Sequence, residues 1–439
     1  MPRSEHHLIA ILRRGDFRRL LVTRVASQFG DGIFQASLAG SVLFNPDRQA
    51  NGLAVGIGFA ILLLPYSLIG PFVGVFLDRW SRRNVLVVAN LLRCAVVPVV
   101  AVLIWSGSRE WIFLLLALVG IGVNRFFLAG LSASLPHVAR TDDLVTANSL
   151  STTSGTVVYA VGIGVAVGLR SALGINDRGY GLVALIAVLF YLASAIAARG
   201  FARQQLGPDD SERERSSDLI DALLAVATGL AAGIRHLTER RVAGYAIVAT
   251  SAHRIFYGVT TIAMLLLYRN YLTGTSLFPG GEVGLGQVVF AGAAGAFLGA
   301  VITPPATRRY HARTWITAML LITGFVQLVL GVPYVTWTLV PAAFLVGTAA
   351  QGIKIVTDTA VQTECDDAYR GRVFSVYDTT FNVCLVLGLL LGAVLLPNTG
   401  KSYFVIGVAT TGYLAVAAWY GWATARWSQA HTPVLESVH

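Results

Sequence analysis

Of the ionisable side chains inside long apolar stretches of this 439-residue sequence, seven are candidates for chemistry: Asp31, Arg125, His253, Arg254, Lys354, Asp358 and Asp378. Charge in apolar surroundings is costly, so each is a candidate for a proton site, a binding group for an opposite charge, or half of an ion pair. Asp31 lies between Gly30 and Gly32. A carboxyl there that alternates between an apolar surrounding and a nearby cation would take up and release a proton; fixed beside one cation it would be a static pair. Arg125 follows Asn124, and Arg254 follows His253. Neither arginine can shed its charge, so each needs a carboxylate or the anionic group of a ligand. His253 either changes charge near neutral pH or serves as a hydrogen-bonded packing residue. Lys354 and Asp358 are four apart and can bridge one helical turn; Lys354 is also one of two lysines in a chain that otherwise uses arginine. Asp378, with Asn382 one turn on, lies near the end of its stretch, within reach of water. Arg24 and Arg93 read as structural residues, shallow enough to snorkel or to pair.

Enzymatic chemistry finds no support beside these. Cys94, Cys365 and Cys384 have neither disulfide nor metal-ligand spacing. No Walker A sequence occurs, nor His-Glu-x-x-His, nor Gly-x-Ser-x-Gly. The expectation is a protein without cofactor or metal and not an enzyme.

The elements that must position these charges follow from composition. Of the residues, 55% are hydrophobic and 13% charged, with a mean hydropathy of +0.66. The apolar runs are roughly 20 residues long, enough at ~1.5 Å per residue to cross a ~30 Å hydrocarbon core. Helices satisfy their own backbone hydrogen bonds in lipid, so the fold class is an all-α membrane protein. The runs predict twelve transmembrane helices at 19–43, 53–77, 84–106, 111–136, 147–170, 179–199, 242–269, 284–304, 313–333, 336–361, 373–396 and 402–425. Sorting the connecting segments alternately gives one set with about 22 Lys or Arg, including both termini, and another with about 6; the excess places the first set in the cytoplasm. The formal charge of +10 is therefore read as a topology signal, not as a nucleic-acid surface.

The hydrophilic stretch near the middle of the chain divides it: 1–199 as one six-helix bundle, 200–241 as a cytoplasmic loop with an amphipathic helix, and 242–439 as a second bundle with a cytoplasmic tail. The helix predicted within Asp218 to Thr238 suits either a membrane surface or a soluble linker. A shift of about 225 residues lays one half on the other, as in transporters built from parallel repeats. It sets Gly74 on Gly299, Asp78 on Thr303 and Arg83 on Arg308, and Gln28 and Phe29 on His253 and Arg254.

After the second run the sequence reads Gly74-Val-Phe-Leu-Asp78-Arg79-Trp80-Ser81-Arg82-Arg83. This resembles the G-x-x-x-D-R-x-x-R-R loop signature of the major facilitator superfamily, which puts Gly74, Asp78, Arg79, Arg82 and Arg83 in a conformational loop. Phe17-Arg-Arg-Leu through Ser27-Gln-Phe-Gly-Asp31, Leu135-Pro-His-Val through Ala147-Asn148, and Gln362 through Arg370-Gly371-Arg372-Val373 resemble the branch of enterobactin exporters, macrolide efflux proteins and lysophospholipid transporters. The resemblance implies two pseudo-symmetric six-helix bundles around a central cavity, with the first and seventh spans lining it. It also implies a role for Arg125 in assisting proton transfer. One feature departs from the family: its antiporters carry a Gly-Pro-rich fifth span, whereas this chain has Tyr159-Ala-Val-Gly162-Ile-Gly164.

The expected function is a secondary active transporter in a bacterial inner membrane, both termini cytoplasmic, exporting an amphiphilic small molecule in exchange for protons by alternating access. The alternatives are a lipid or siderophore carrier without proton antiport, and a membrane assembly partner that transports nothing. Deep cations outnumber deep carboxylates, which points to an anionic substrate. The expected partners are that substrate, protons and membrane lipids, with no nucleic acid, and the chain is expected to be a monomer.

Overall fold

The computed structural model describes residues 12–43, 56, 72–77, 79–140, 143–207 and 219–431. Among them the chain is helical; the one β feature is an isolated bridge between Gly274 and Pro279. In order, the helices are α1 Gly15–Leu43, α2 Val73–Leu77, α3 Arg82–Trp105, α4 Glu110–Ser134, α5 Leu144–Leu173, α6 Asp177–Arg199, α7 Leu219–Glu239, α8 Arg241–Asn270, α9 Gly281–Arg309, α10 Ala312–Val326, α11 Thr336–Glu364, α12 Asp367–Leu395 and α13 Tyr403–His431. A π-helical turn, Gln327–Gly331, extends α10. Most of the run at 53–77 lies outside the described residues, as does Asp78.

Nine of the described helices are long and apolar enough to cross a membrane. Besides the 21-residue α7, two longer helices, α1 with 29 residues and α8 with 30, are not among the nine. They carry the polar series Gln28, Asp31, Gln35 and His253, Arg254, which lowers their mean hydropathy. Several helices outrun their hydropathy limits: α9 continues to Arg309 through Pro304 and Pro305, and α11 to Glu364. Hydropathy marks only the lipid-facing length, whereas backbone hydrogen bonding propagates into water.

Large apolar side chains point outward along the bundle helices. Phe290 and Phe297 on α9 are 76% and 73% exposed, and Leu189 and Ile196 on α6 are nearly as open. In water such faces would drive association; in lipid they are the expected surface.

The chain divides into two compact units, and the boundary falls between Val226 and Ala227, inside α7. In the first, α1 packs on α5 and α6, α3 on α6, and α3 on α4. The second repeats that pairing, with α8 on α12 and α13, α10 on α13, and α10 on α11. The helix contacts explain part of the repeat. At the α1–α5 crossing, a Cβ on Gly32 would run into the Tyr159 carbonyl oxygen, and one on Gly162 would meet that of Phe29 at 2.5 Å. Gly258 and Gly388, one repeat of about 225 residues later, bring α8 and α12 equally close.

Candidate functional site

Two polar clusters stand out, one in each unit. In the first unit, α1 supplies Asp31, α3 supplies Asn90 and Arg93, α4 supplies Asn124, and α6 supplies Tyr191 and Ser194. Arg93 Nη1 donates to Asp31 Oδ1 at 2.9 Å and to Asn124 Oδ1 at 3.2 Å, while Nη2 donates to Asn90 Oδ1 at 2.8 Å. The guanidinium carbon lies 4.7 Å from the ring centres of both Phe127 and Tyr191. Tyr191 Oη donates a second hydrogen bond to Asp31 Oδ1, at 2.9 Å. Asp31 and Arg93 are 3% and 1% exposed. Burial at that level favours the pairing strongly while Asp31 is ionised, because either charge alone would stand desolvated and uncompensated. Asp31 Oδ2, also buried, has no hydrogen-bond partner among the described residues. From Asn90 a chain of hydrogen bonds continues through Ser194 Oγ, at 2.8 Å, to the Thr23 carbonyl oxygen, at 2.6 Å.

Arg93, which the sequence reading treated as a structural residue shallow enough to snorkel or to pair, does pair and lies deeper than that reading placed it. It stands roughly 16 Å into α3 at ~1.5 Å per residue, and it is the cation that Asp31 meets. Arg24 is buried as well, donating to Ser151 Oγ at 3.1 Å. Arg125 is half-buried beside Asn124, but the bonds of Asp31 go to Arg93 and Tyr191 and not to it. The sequence offered one signal for the missed residues: Asn90 and Arg93, three apart, share a helix face.

At the end of the same unit, the described part of the loop motif joins α3 to α6. Ser81 Oγ donates to the Arg203 carbonyl at 2.7 Å, and Arg83 Nη2 to that of Arg199 at 3.1 Å. Arg82 is buried; its Nη1 donates to the Ala133 carbonyl at 3.1 Å and its backbone N–H to that of Gly207 at 3.1 Å. Arg19 Nη1 adds a bond to the Gly200 carbonyl at 2.9 Å. Arg83 and Arg19 thus meet carbonyls at the end of α6, and Arg82 one at the end of α4, where a helix leaves carbonyls unsatisfied and favours positive charge. Phe201 and Leu206 are buried with Phe17, Leu20 and Leu86, so residues 200–207 fold onto the first unit instead of running free as a loop. Gly74 lies in α2, and Arg79 is half-buried in the turn that follows.

In the second unit, α8, α11, α12 and α13 meet around Arg254. Its guanidinium carbon stands 3.7 Å from the ring centre of Phe381 and 5.2 Å from that of Tyr257. Lys354 Nζ lies 5.9 Å from the same Phe381 centre, 5.8 Å from that of Tyr377, and 2.7 Å from Asp358 Oδ2. The expected bridge is thus present, and its side chains are 35% and 29% exposed. His253 is fully buried between Tyr257 and Tyr413, at ring-centre distances of 6.0 and 5.4 Å. Its Nε2 has no hydrogen-bond partner among the described residues, and neither has Tyr377 Oη or Asp358 Oδ1. Asp378 is exposed on α12, and its carbonyl accepts from Asn382 Nδ2 at 2.8 Å. Arg254, Lys354, Asp358 and His253 therefore come together, while Tyr377 and Phe381 complete a cluster that their ordinary aromatic character had hidden.

Spanning helices with outward apolar faces and buried charges define a multi-pass membrane protein. Its sequence from 20 to 353 matches the model of the Major Facilitator Superfamily, and the chain belongs to that family of transporters. An uncharacterized MFS-type transporter of Mycobacterium tuberculosis is 38% identical over 401 residues, covering 91% of this chain and 89% of that one. Macrolide efflux protein A of Streptococcus pyogenes is 23% identical over 368 residues, covering 81% and 84%. The solved structure of the nucleoside transporter NupG superposes with a TM-score of 0.65 at 15% identity, covering 95% of this chain and 99% of that one. The likeness to NupG concerns the fold alone.

Proposed function

We propose that the protein is a secondary active transporter of the bacterial inner membrane, with both termini cytoplasmic, exporting an amphiphilic small molecule in exchange for protons. The observation that carries the coupling is the buried carboxyl of Asp31: one oxygen is held by Arg93 and Tyr191, and the other has no partner among the described residues. That second oxygen can receive a proton. Protonation removes the carboxylate's charge from Arg93 and changes what α1 and α3 exchange, so a proton event becomes a helix event. Export is supported by the similarity to macrolide efflux proteins, and the orientation by the charge bias of the loops.

A second reading is favoured by the number of bonds on Arg93. With Asp31, Asn90, Asn124 and two aromatic rings around it, the pair would be a static clasp between α1, α3 and α6. Vesicles containing the purified protein and a pH-sensitive dye separate the two. If Asp31 carries the proton, adding a transported amphiphile changes the internal pH with the wild type, and Asp31→Asn, less stable but still folded by size-exclusion profile, abolishes that change. If Asp31→Asn moves protons as the wild type does, Asp31 is a clasp and the coupling lies elsewhere.

A further inference from the structure

The cluster around Arg254 carries more than transport in general. Arg254 presents its face to Phe381 at 3.7 Å, an interaction that uses the π surface and leaves the N–H edges open. Among the described residues no carboxylate lies within ion-pair distance of it. Lys354 is neutralised by Asp358, so the group keeps one uncompensated positive charge, on Arg254. Unsatisfied donors on a permanent cation inside a bilayer are costly unless an anion completes them.

The polar atoms around the arginine are unsatisfied too. His253 Nε2 and Tyr377 Oη are buried on the two elements, α8 and α12, that flank it, and neither has a partner among the described residues. Phe256 and Tyr257, together with Tyr413 of α13, add flat apolar faces. The half-exposed bridge of Lys354 and Asp358 leaves the group accessible.

We infer that Arg254, Lys354, Phe381 and Tyr377 form a binding site for a phosphate or carboxylate group attached to an aromatic or similarly flat apolar body. The anion takes the N–H edge of Arg254, and the apolar body stacks among the rings. Tyr377 Oη donates to the anion, and Lys354 reaches it by exchanging Asp358 for the ligand. This site rests on the transporter reading, for which it names the substrate class, but it is tested by binding and not by flux.

A naphthyl series separates the contributions in purified full-length protein, measured by calorimetric titration in a neutral detergent. The ligands are 1-naphthyl phosphate, 2-naphthoate, neutral 2-naphthol, inorganic phosphate, and (2-naphthylmethyl)trimethylammonium. Expected is saturable binding of 1-naphthyl phosphate or 2-naphthoate, with 2-naphthol, inorganic phosphate and the ammonium compound about tenfold or more weaker, since each lacks the charge-assisted bond or the stacked body. Arg254→Gln should weaken the anion by about tenfold or more, and Lys354→Gln, whose side chain is accessible and whose loss leaves no sealed charge, by several-fold. Arg235→Gln, on the exposed face of α7, should leave binding unchanged. Equal affinity for the ammonium compound, undiminished anion binding in both Arg254→Gln and Lys354→Gln, or no binding of either anion would overturn the site. Proton-linked flux of another amphiphile would survive each of those results, so the two failures are distinguishable.

Discussion

A buried arginine cannot neutralise itself, so what surrounds Arg93 must do it. Asp31 supplies the opposite charge, and Asn90, Asn124, the Ala89 carbonyl and the faces of Phe127 and Tyr191 surround the rest. Removing one member of such a pair should cost more than removing both charges, because the survivor stays desolvated. Arg93→Ala is expected to lose about 3–5 kcal/mol of stability. The double variant Asp31→Asn with Arg93→Gln should lose clearly less. Thermal unfolding of the detergent-purified proteins checks this, and equal losses would mean the ion pair is not what holds these helices. At this scale the sequence disclosed Asp31, since a carboxylate inside an apolar run is conspicuous. It did not disclose the partner, because linear position gives depth along a helix without saying which neighbour the face meets. Arg125 and Asn124 are neighbours in the sequence, and the rotation of α4 sends Asn124 to the network. In the second half, Lys354 with Asp358 was legible because an i,i+4 pair needs only one helix. The Phe381 ring shared by Arg254 and Lys354 was not, because it joins α8, α11 and α12.

Glycine decides how the helices approach, and two glycines on one helix do different things. Gly162 and Gly164 both stood out in the sequence as small residues in the fifth span. A Cβ on Gly162 would meet the Phe29 carbonyl at 2.5 Å, whereas nothing lies within 4 Å of one on Gly164. Gly162→Ala should therefore push α1 from α5 at a cost of about 1–3 kcal/mol. Gly164→Ala should be neutral or slightly stabilising, since alanine is the better helix former. In the second unit Gly388→Ala should behave like Gly162→Ala, and Gly407→Ala, with open space around it, like Gly164→Ala. Melting temperatures of the four variants decide the matter; a uniform effect would show that close helix approach is not what these positions encode. The elements themselves were largely legible, because runs of roughly 20 apolar residues admit few structures in lipid. Their ends were less so. Residues 200–207 are polar enough to read as loop, yet Phe201 and Leu206 are buried, and Ser81 and Arg82 donate to carbonyls of the segment.

Across the whole molecule, two units repeat one helix pairing, and each keeps its charges in a different form. The first holds a closed ion pair with one open carboxyl oxygen; the second holds an open cation among rings. On the proposed function, one half of the carrier answers to protons and the other to an anionic amphiphile. The repeat was visible in outline from the offset of about 225 residues, because helix positions recur even where side chains do not. The division was invisible, since it depends on which charges find partners after folding. Vesicles of purified protein with an acidic lumen, a neutral exterior and equal amounts on both sides of an anionic probe that the protein binds put the claim to its most direct test. Exchange of substrate for protons predicts that the wild type concentrates the probe in the acidic lumen, against the direction in which a weak acid distributes passively. A protonophore or Asp31→Asn should abolish that accumulation. Wild-type vesicles in which the probe distributes identically with and without the pH gradient would contradict the account.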